Sequence, residues 1–116
     1  MNGYIWTFDV FSAEEIEASG NASSDAIDLR GKAPNDRFAI AYTVTGSGEL
    51  RLEYLTCYYL GGTYFEPSEG LEIGAGIIAG SDLIEFSPLL TPFIKIKAYE
   101  TGGAETATIT AVLLTK

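Results

Sequence analysis

Arg37-Phe38-Ala39-Ile40-Ala41-Tyr42-Thr43-Val44-Thr45, then Gly46-Ser47-Gly48, then Glu49-Leu50-Arg51-Leu52-Glu53-Tyr54: in this stretch every large apolar residue falls at an even position. Successive side chains of a strand point to opposite faces, so alternation with period two means a strand with one face in a core. Two such segments joined by a glycine-rich connection predict a β-hairpin. Its inner face would carry Phe38, Ile40, Tyr42, Val44, Leu50, Leu52 and Tyr54. Its outer face would show Thr43, Thr45, Glu49, Arg51 and Glu53.

Outward from this stretch, more strand-like runs appear. On the N-terminal side, Tyr4 to Phe11 sets Tyr4, Trp6, Phe8 and Val10 against Ile5, Thr7, Asp9 and Phe11. Ser12-Ala13-Glu14-Glu15 fits a capping box ahead of Ile16, which predicts one or two helical turns ending by Gly20, with a loop as the alternative. Ser24 to Leu29 is a strand with Ile27 and Leu29 on one side, and Lys32 to Asp36 a turn. On the C-terminal side, Leu55 to Leu60 extends the decisive segment, and Gly61-Gly62 turns it towards Thr63-Tyr64-Phe65. Pro67 and Gly70 mark a loop, after which Leu71-Glu72-Ile73 is extended. Ile77 to Ala79 and Leu83 to Phe86 flank a hairpin or bend at Gly80-Ser81-Asp82. Pro88 and Pro92 bracket a loop. Phe93 to Glu100 alternates again, and Gly102-Gly103 turns it into Thr106 to Leu114. Runs at this spacing, with no long helical crossover, predict an all-β sandwich or barrel of about eight or nine short strands, one domain over residues 1–116.

The 116 residues carry 7 basic and 16 acidic side chains, a net charge of −9. A surface that neutralises phosphate must be basic, so nucleic acid and anionic membrane are poor partners. No apolar run approaches the roughly 18 residues of a membrane span, and Met1-Asn2-Gly3-Tyr4 has neither the basic nor the apolar region of a signal peptide. The expectation is a chain made in the cytoplasm. Asn21-Ala22-Ser23 matches a glycosylation sequon, without weight in that context.

With no histidine in the chain, Ser-His, Cys-His and His-metal chemistry are excluded. The one cysteine, Cys57, sits in a Tyr- and Leu-rich run and predicts a buried, inert thiol. Paired carboxylates for glycoside hydrolysis are not singled out among so many acids. No Asp-x-Asp-x-Asp-Gly loop indicates calcium. Gly74-Ala75-Gly76-Ile77-Ile78-Ala79-Gly80 misses the G-x-G-x-x-G spacing, and no helix follows it. The expectation is a binding protein rather than an enzyme, with no cofactor, no metal and no catalytic residue.

Tyr58, Tyr59, Tyr64 and Phe65 are the feature that invites a partner. Core packing, a protein interface and a sugar-stacking platform are all compatible with them. If Tyr58 and Tyr59 are adjacent on a strand they point to opposite faces, so one looks away from the core. The terminal strands carry apolar residues on both faces: Ile5 and Phe11 at one end, Val112 and Leu114 at the other. One face meets the core; the other needs cover. Ile5, Phe11, Tyr58, Tyr59, Tyr64, Phe65, Val112 and Leu114 are therefore the candidate interface, and a homo-oligomer through a terminal strand is expected, a trimer above all.

From about Asp25 onward the order of features resembles that of small virion proteins of tailed bacteriophages and prophages. The points of likeness are Asp28-Leu29-Arg30, Tyr42-Thr43-Val44-Thr45-Gly46-Ser47-Gly48, Glu53-Tyr54-Leu55, Tyr64-Phe65-Glu66-Pro67, Phe86-Ser87-Pro88, and Pro92-Phe93-Ile94-Lys95-Ile96-Lys97-Ala98 before Glu100-Thr101. The segment Tyr4 to Phe11 lies outside the likeness. What the resemblance implies is an antiparallel β-sandwich of jelly-roll or β-tulip type, often trimeric, located in the virion and decorating or stabilising the capsid. It brings no functional residue with it. Two other readings stand beside it: a carbohydrate-binding module for a surface glycan, and a tail or baseplate adaptor.

Overall fold

A computed structural model describes residues 5–66, 72–88 and 92–116. Tyr4, Pro67, Gly70 and Leu71 of the sequence reading lie outside them. The described residues form nine strands and no helix: β1 (Trp6–Ile16), β2 (Asn21–Ser23), β3 (Ile27–Asp28), β4 (Phe38–Gly46), β5 (Leu50–Cys57), β6 (Glu72–Ile77), β7 (Gly80–Phe86), β8 (Phe93–Glu100) and β9 (Ala107–Thr115). All pairings are antiparallel. One sheet has the order β1-β9-β4-β7 and the other β2-β8-β5-β6, with the short β3 also on β8. That interleaved order is a jelly roll.

The decisive stretch forms both expected strands, but they are not a hairpin. β4 pairs with β7 and β9, whereas β5 pairs with β6 and β8. Gly46-Ser47-Gly48 is a corner that carries the chain from one sheet to the other. β6 to β7 and β8 to β9 make the same crossing. The inner face is nevertheless as expected: Phe38, Ile40, Val44, Leu50, Leu52 and Tyr54 are buried, and Tyr42 packs against the core. Two strands facing each other across a sandwich bury the same alternation as two strands side by side. The corner glycines answer to close approach. A Cβ on Gly46, at φ 93°, would stand 2.6 Å from the Thr106 carbonyl oxygen, and one on Gly48 2.9 Å from Ala107.

Ser12 to Ile16 is strand rather than helix. Glu14, Glu15 and Ile16 pair with Ile109, Thr108 and Ala107, and burying Ile16 (1% exposed) against β9 outweighs a local cap that no apolar stripe sustains. Register shifts between Asp9 and Phe11 and between Phe11 and Glu14 accommodate this, with Ala13 at φ 51° and its N–H donating to Thr110 Oγ1 at 3.0 Å. The first bulge also turns both Val10 and Phe11 inward, so Phe11 is a core residue and not an interface one. β5 ends at Cys57, so Tyr58 and Tyr59 are not strand neighbours and both are exposed. Glu53, expected outside, is buried beside Arg51, whose Nε lies 2.8 Å from its Oε2.

The connections at one end of the sandwich converge on Glu100. Its Oε1 accepts N–H bonds from Ser19 (3.0 Å) and Gly103 (2.7 Å), and its Oε2 from Glu49 (2.9 Å) and Gly102 (2.8 Å). These donors belong to the β1–β2 turn, the β4–β5 corner and the β8–β9 turn. Backbone N–H groups directed at the carboxylate hold its pKa down to about 2. Opposite this end, the Lys32–Asp36 turn closes on β9: the Thr115 hydroxyl donates to the Lys32 carbonyl, and Asn35 and Arg37 N–H groups donate to Lys116.

Two outcomes are expected. Ile40→Ala empties a fully buried site and lowers unfolding free energy by about 2–5 kcal/mol in denaturant melts. Because Glu100's pKa is depressed on folding, its contribution is fully present above the ordinary value of 4.5 and is lost as pH falls towards 2. Glu100→Gln therefore lowers the melting midpoint at neutral pH and shrinks the acid-induced loss across that window.

Candidate functional site

The outer faces of the two sheets differ in kind. On the β1-β9-β4-β7 sheet, pairing aligns outward residues in rows: Thr7, Leu114, Ala39 and Glu85, then Asp9, Val112, Ala41 and Leu83, then Thr110, Thr43 and Ser81. These are the odd positions of β4 and β7 and the even positions of β9, opposite to the core-facing set. Ile5 and Leu83 are more than half exposed, and Ala39, Ala41, Val112 and Leu114 are partly exposed. A further row joins Glu15, Thr108 and Thr45. Charge stands at the row ends, in Asp9, in Glu15 and in Glu85, whose Oε1 accepts from Arg37 at 2.7 Å. A shallow hollow of about 240 Å³ lies among Ile5, Ala39, Leu83 and Leu114, with Arg37 and Glu85 at its rim. Small alanines in the central strand leave this face flat. A flat, uncharged aliphatic face suits contact with another protein surface.

The face of the other sheet is already occupied by its own side chains. Arg51 and Lys97 both lie 4.9 Å from the centre of the Tyr99 ring, and Lys95 is 4.6 Å from that of Tyr64. Arg30 sits 5.0 Å over Phe93 while its guanidinium holds Asp28, Nη2 to Oδ2 at 2.7 Å. Four of the 7 basic residues are thus engaged with aromatic rings.

A second apolar surface is the turn that follows β5. Thr56 and Phe65 exchange backbone hydrogen bonds (2.9 and 2.7 Å), Gly62 N–H donates to Tyr59 O at 3.1 Å, and the Cys57 thiol donates to the same carbonyl at 3.0 Å. A Cβ on Gly62 would meet the Tyr59 ring at 2.5 Å. These bonds close the turn and force its large side chains outward: Tyr58 is 71%, Leu60 73% and Phe65 51% exposed. Tyr58 meets Tyr59 edge-on at 4.8 Å and lies within 10° of parallel to Phe65 at 6.3 Å. Tyr64 is half-buried beneath Lys95, and burial raises its phenol pKa. Among the described residues, no three of Cys, Asp and Glu gather as metal ligands.

Of the candidate interface residues, Ile5, Val112 and Leu114 share the flat sheet face, and Tyr58, Tyr59 and Phe65 share the turn. Tyr64 belongs half to the charged lattice, and Phe11 to the core. Leu83, Ala39, Ala41 and Leu60 were not anticipated. Leu83 had a signal: adjacent Leu83 and Ile84 make β7 apolar on both faces, as Val112 and Leu113 do for β9.

No family profile matches the chain, and no curated protein does. Solved structures similar to it include SPBc2 prophage-derived protein YomS, 8% identical over 97% of this chain and 94% of that one, TM-score 0.48. Another is Aeromonas hydrophila PliG, a periplasmic lysozyme inhibitor of g-type lysozyme, 12% identical over 95% and 85%, TM-score 0.46. A third is infectious bursal disease virus Gx strain, 14% identical over 97% of this chain and 33% of that one, TM-score 0.44. At TM-scores below 0.5 these likenesses bear on neither function nor topology; the jelly-roll order rests on the strand pairings.

The division between core and surface is directly measurable. Phe11→Ala should cost about 3–5 kcal/mol in unfolding free energy, whereas Leu114→Ser on the open face should stay within about 1 kcal/mol. Equal losses would place Phe11 and Leu114 in the same environment.

Proposed function

We propose that the chain is a virion structural protein that decorates and stabilises an assembled capsid, acting by contact and without catalysis. The observation that carries this reading is the charge-free centre of the outer face of the β1-β9-β4-β7 sheet, with Ile5, Leu83, Val112 and Leu114 directed away from the core. In a chain of net charge −9, a face free of charge across its centre favours a protein surface over a phosphate backbone. The order of motifs from Asp28 to Thr101 supports the phage assignment, and a jelly roll is an architecture that viral capsid proteins use. Lectins use it too, and the near-parallel exposed rings of Tyr58 and Phe65 favour glycan stacking as the second reading.

Contact of this kind depends weakly on salt, unlike phosphate neutralisation. Added to undecorated capsids of the encoding phage, the protein should bind equally at low and moderate salt and raise their melting temperature by mass action. Purified DNA should not be retained. Val112→Lys should abolish binding, while Tyr58→Ala leaves it intact. Capsids that gain no stability, with a glycan array that responds and goes silent on Tyr58→Ala, would give the function to the aromatic turn instead.

A further inference from the structure

Among the described residues, the outer strands of the sandwich end differently. β1 is broken by two register shifts and by Ala13 at φ 51°, β2 and β3, side by side on β8, have three and two residues, and β6 pairs irregularly around Gly76 at φ 65°. Bulges and short length are the usual means of blunting an edge against a second strand. β7 has none of them. Its seven residues stay in continuous register with β4, from Phe38 opposite Phe86 to Val44 opposite Gly80, and contain no bulge, proline or lysine. Leu83, at its centre, is 52% exposed. The Leu83 N–H donates to Asp82 Oδ1 in its own strand at 2.8 Å, so the outward backbone row is that of Ser81, Leu83 and Glu85.

We propose that β7 is a self-pairing edge: two copies of the chain join β7 to β7, antiparallel about a two-fold axis at Leu83, merging two four-stranded sheets into one. The register is self-complementary. Leu83 faces the partner's Leu83, Ser81 faces the partner's Glu85, and Asp82 faces the partner's Ile84, so no two carboxylates stand opposite one another. The Leu83 N–H exchanges its bond to Asp82 for the carbonyl of the partner's Leu83. The outward row Val112, Ala41, Leu83 continues without a break into the same row of the second copy, doubling the apolar face. Antiparallel pairing of one strand with itself is isologous and closes as a dimer, in place of the trimer expected from the terminal strands. The pairing holds whether or not that face meets a capsid.

Light scattering on the full chain at tens of micromolar should return twice the 12.4 kDa of one chain. Leu83→Lys places a charge at the axis and should return the mass of one chain. Val112→Lys, in the middle of the face but away from the edge, should keep the doubled mass while losing capsid binding, so the two readings fail separately. Amide exchange on the wild-type protein supplies a check that needs no variant: protection at Ser81, Leu83 and Glu85 should rise with concentration. A one-chain or three-chain mass for the wild type, a Leu83→Lys protein that remains paired, dissociation by Val112→Lys, or concentration-independent exchange along β7 each overturns the proposal.

Discussion

One carboxylate ties together the connections that make this sandwich a jelly roll. Glu100 ends β8 and accepts four backbone N–H groups from three separate connections: Ser19 after β1, Glu49 in the β4–β5 corner, and Gly102 and Gly103 on the way to β9. Unpaired backbone donors in tight, partly buried turns cost free energy, and an ionised acceptor satisfies them more strongly than a neutral one. A Cβ on Gly102 would stand 2.9 Å from Glu100 Oε2 and press on the carboxylate where it holds its donors. Further bonds gather at the same place: Glu100 N–H donates to Gly20 O and Thr101 N–H to Glu49 O. The chain crosses between sheets at all three connections, and the carboxylate fixes where those crossings lie.

With the connections fixed, the core follows from alternation. Ile40, Val44, Ile109 and Leu113 of one sheet meet Leu50, Leu52, Ile94 and Ile96 of the other, all at most 1% exposed. Phe86 spans the layers, with its ring 5.9 Å from Phe38 and 6.1 Å from Tyr54. What remains for function is the outside. One sheet covers itself with cations laid over Tyr64, Phe93 and Tyr99 and thereby leaves little to offer. The other keeps an aliphatic face between charged margins, and its β7 edge continues that face to the boundary of the molecule. The acidic charge of the chain and the location of its apolar surface both favour the proposed protein contact.

Legibility of the candidate surface varied with how local its cause is. Val112 and Leu114 could be recognised because Ile109, Ala111 and Leu113 claim the core side of the same strand, and the period-two rule sends the others out. Phe11 failed under the same rule, because the bulge after Asp9 shifts the alternation by one residue and turns it inward. Nothing in Asp9-Val10-Phe11 announces that bulge; it arises where β1 must follow β9 and still bury Ile16. Tyr58 and Tyr59 were recognisable as a ligand-like cluster, but their shared exposure depends on the Thr56–Phe65 bridge that closes the turn.

The sequence by itself determined that the chain is all-β, where most strands run, and which face of most of them is buried. These are properties of a few consecutive residues: side-chain alternation, glycine and proline punctuation, and the absence of a helical stripe. Only the tertiary structure decided which strands pair. Phe38 to Tyr54 satisfies a hairpin and a cross-sheet corner equally, since either arrangement buries the even positions. The choice lies in partners far along the chain, β9 for β4 and β8 for β5. Glu100 makes the same point for a single side chain. In the sequence it is one acid among 16, and its role depends on backbone N–H groups from up to 81 residues away, brought to it by the fold as a whole.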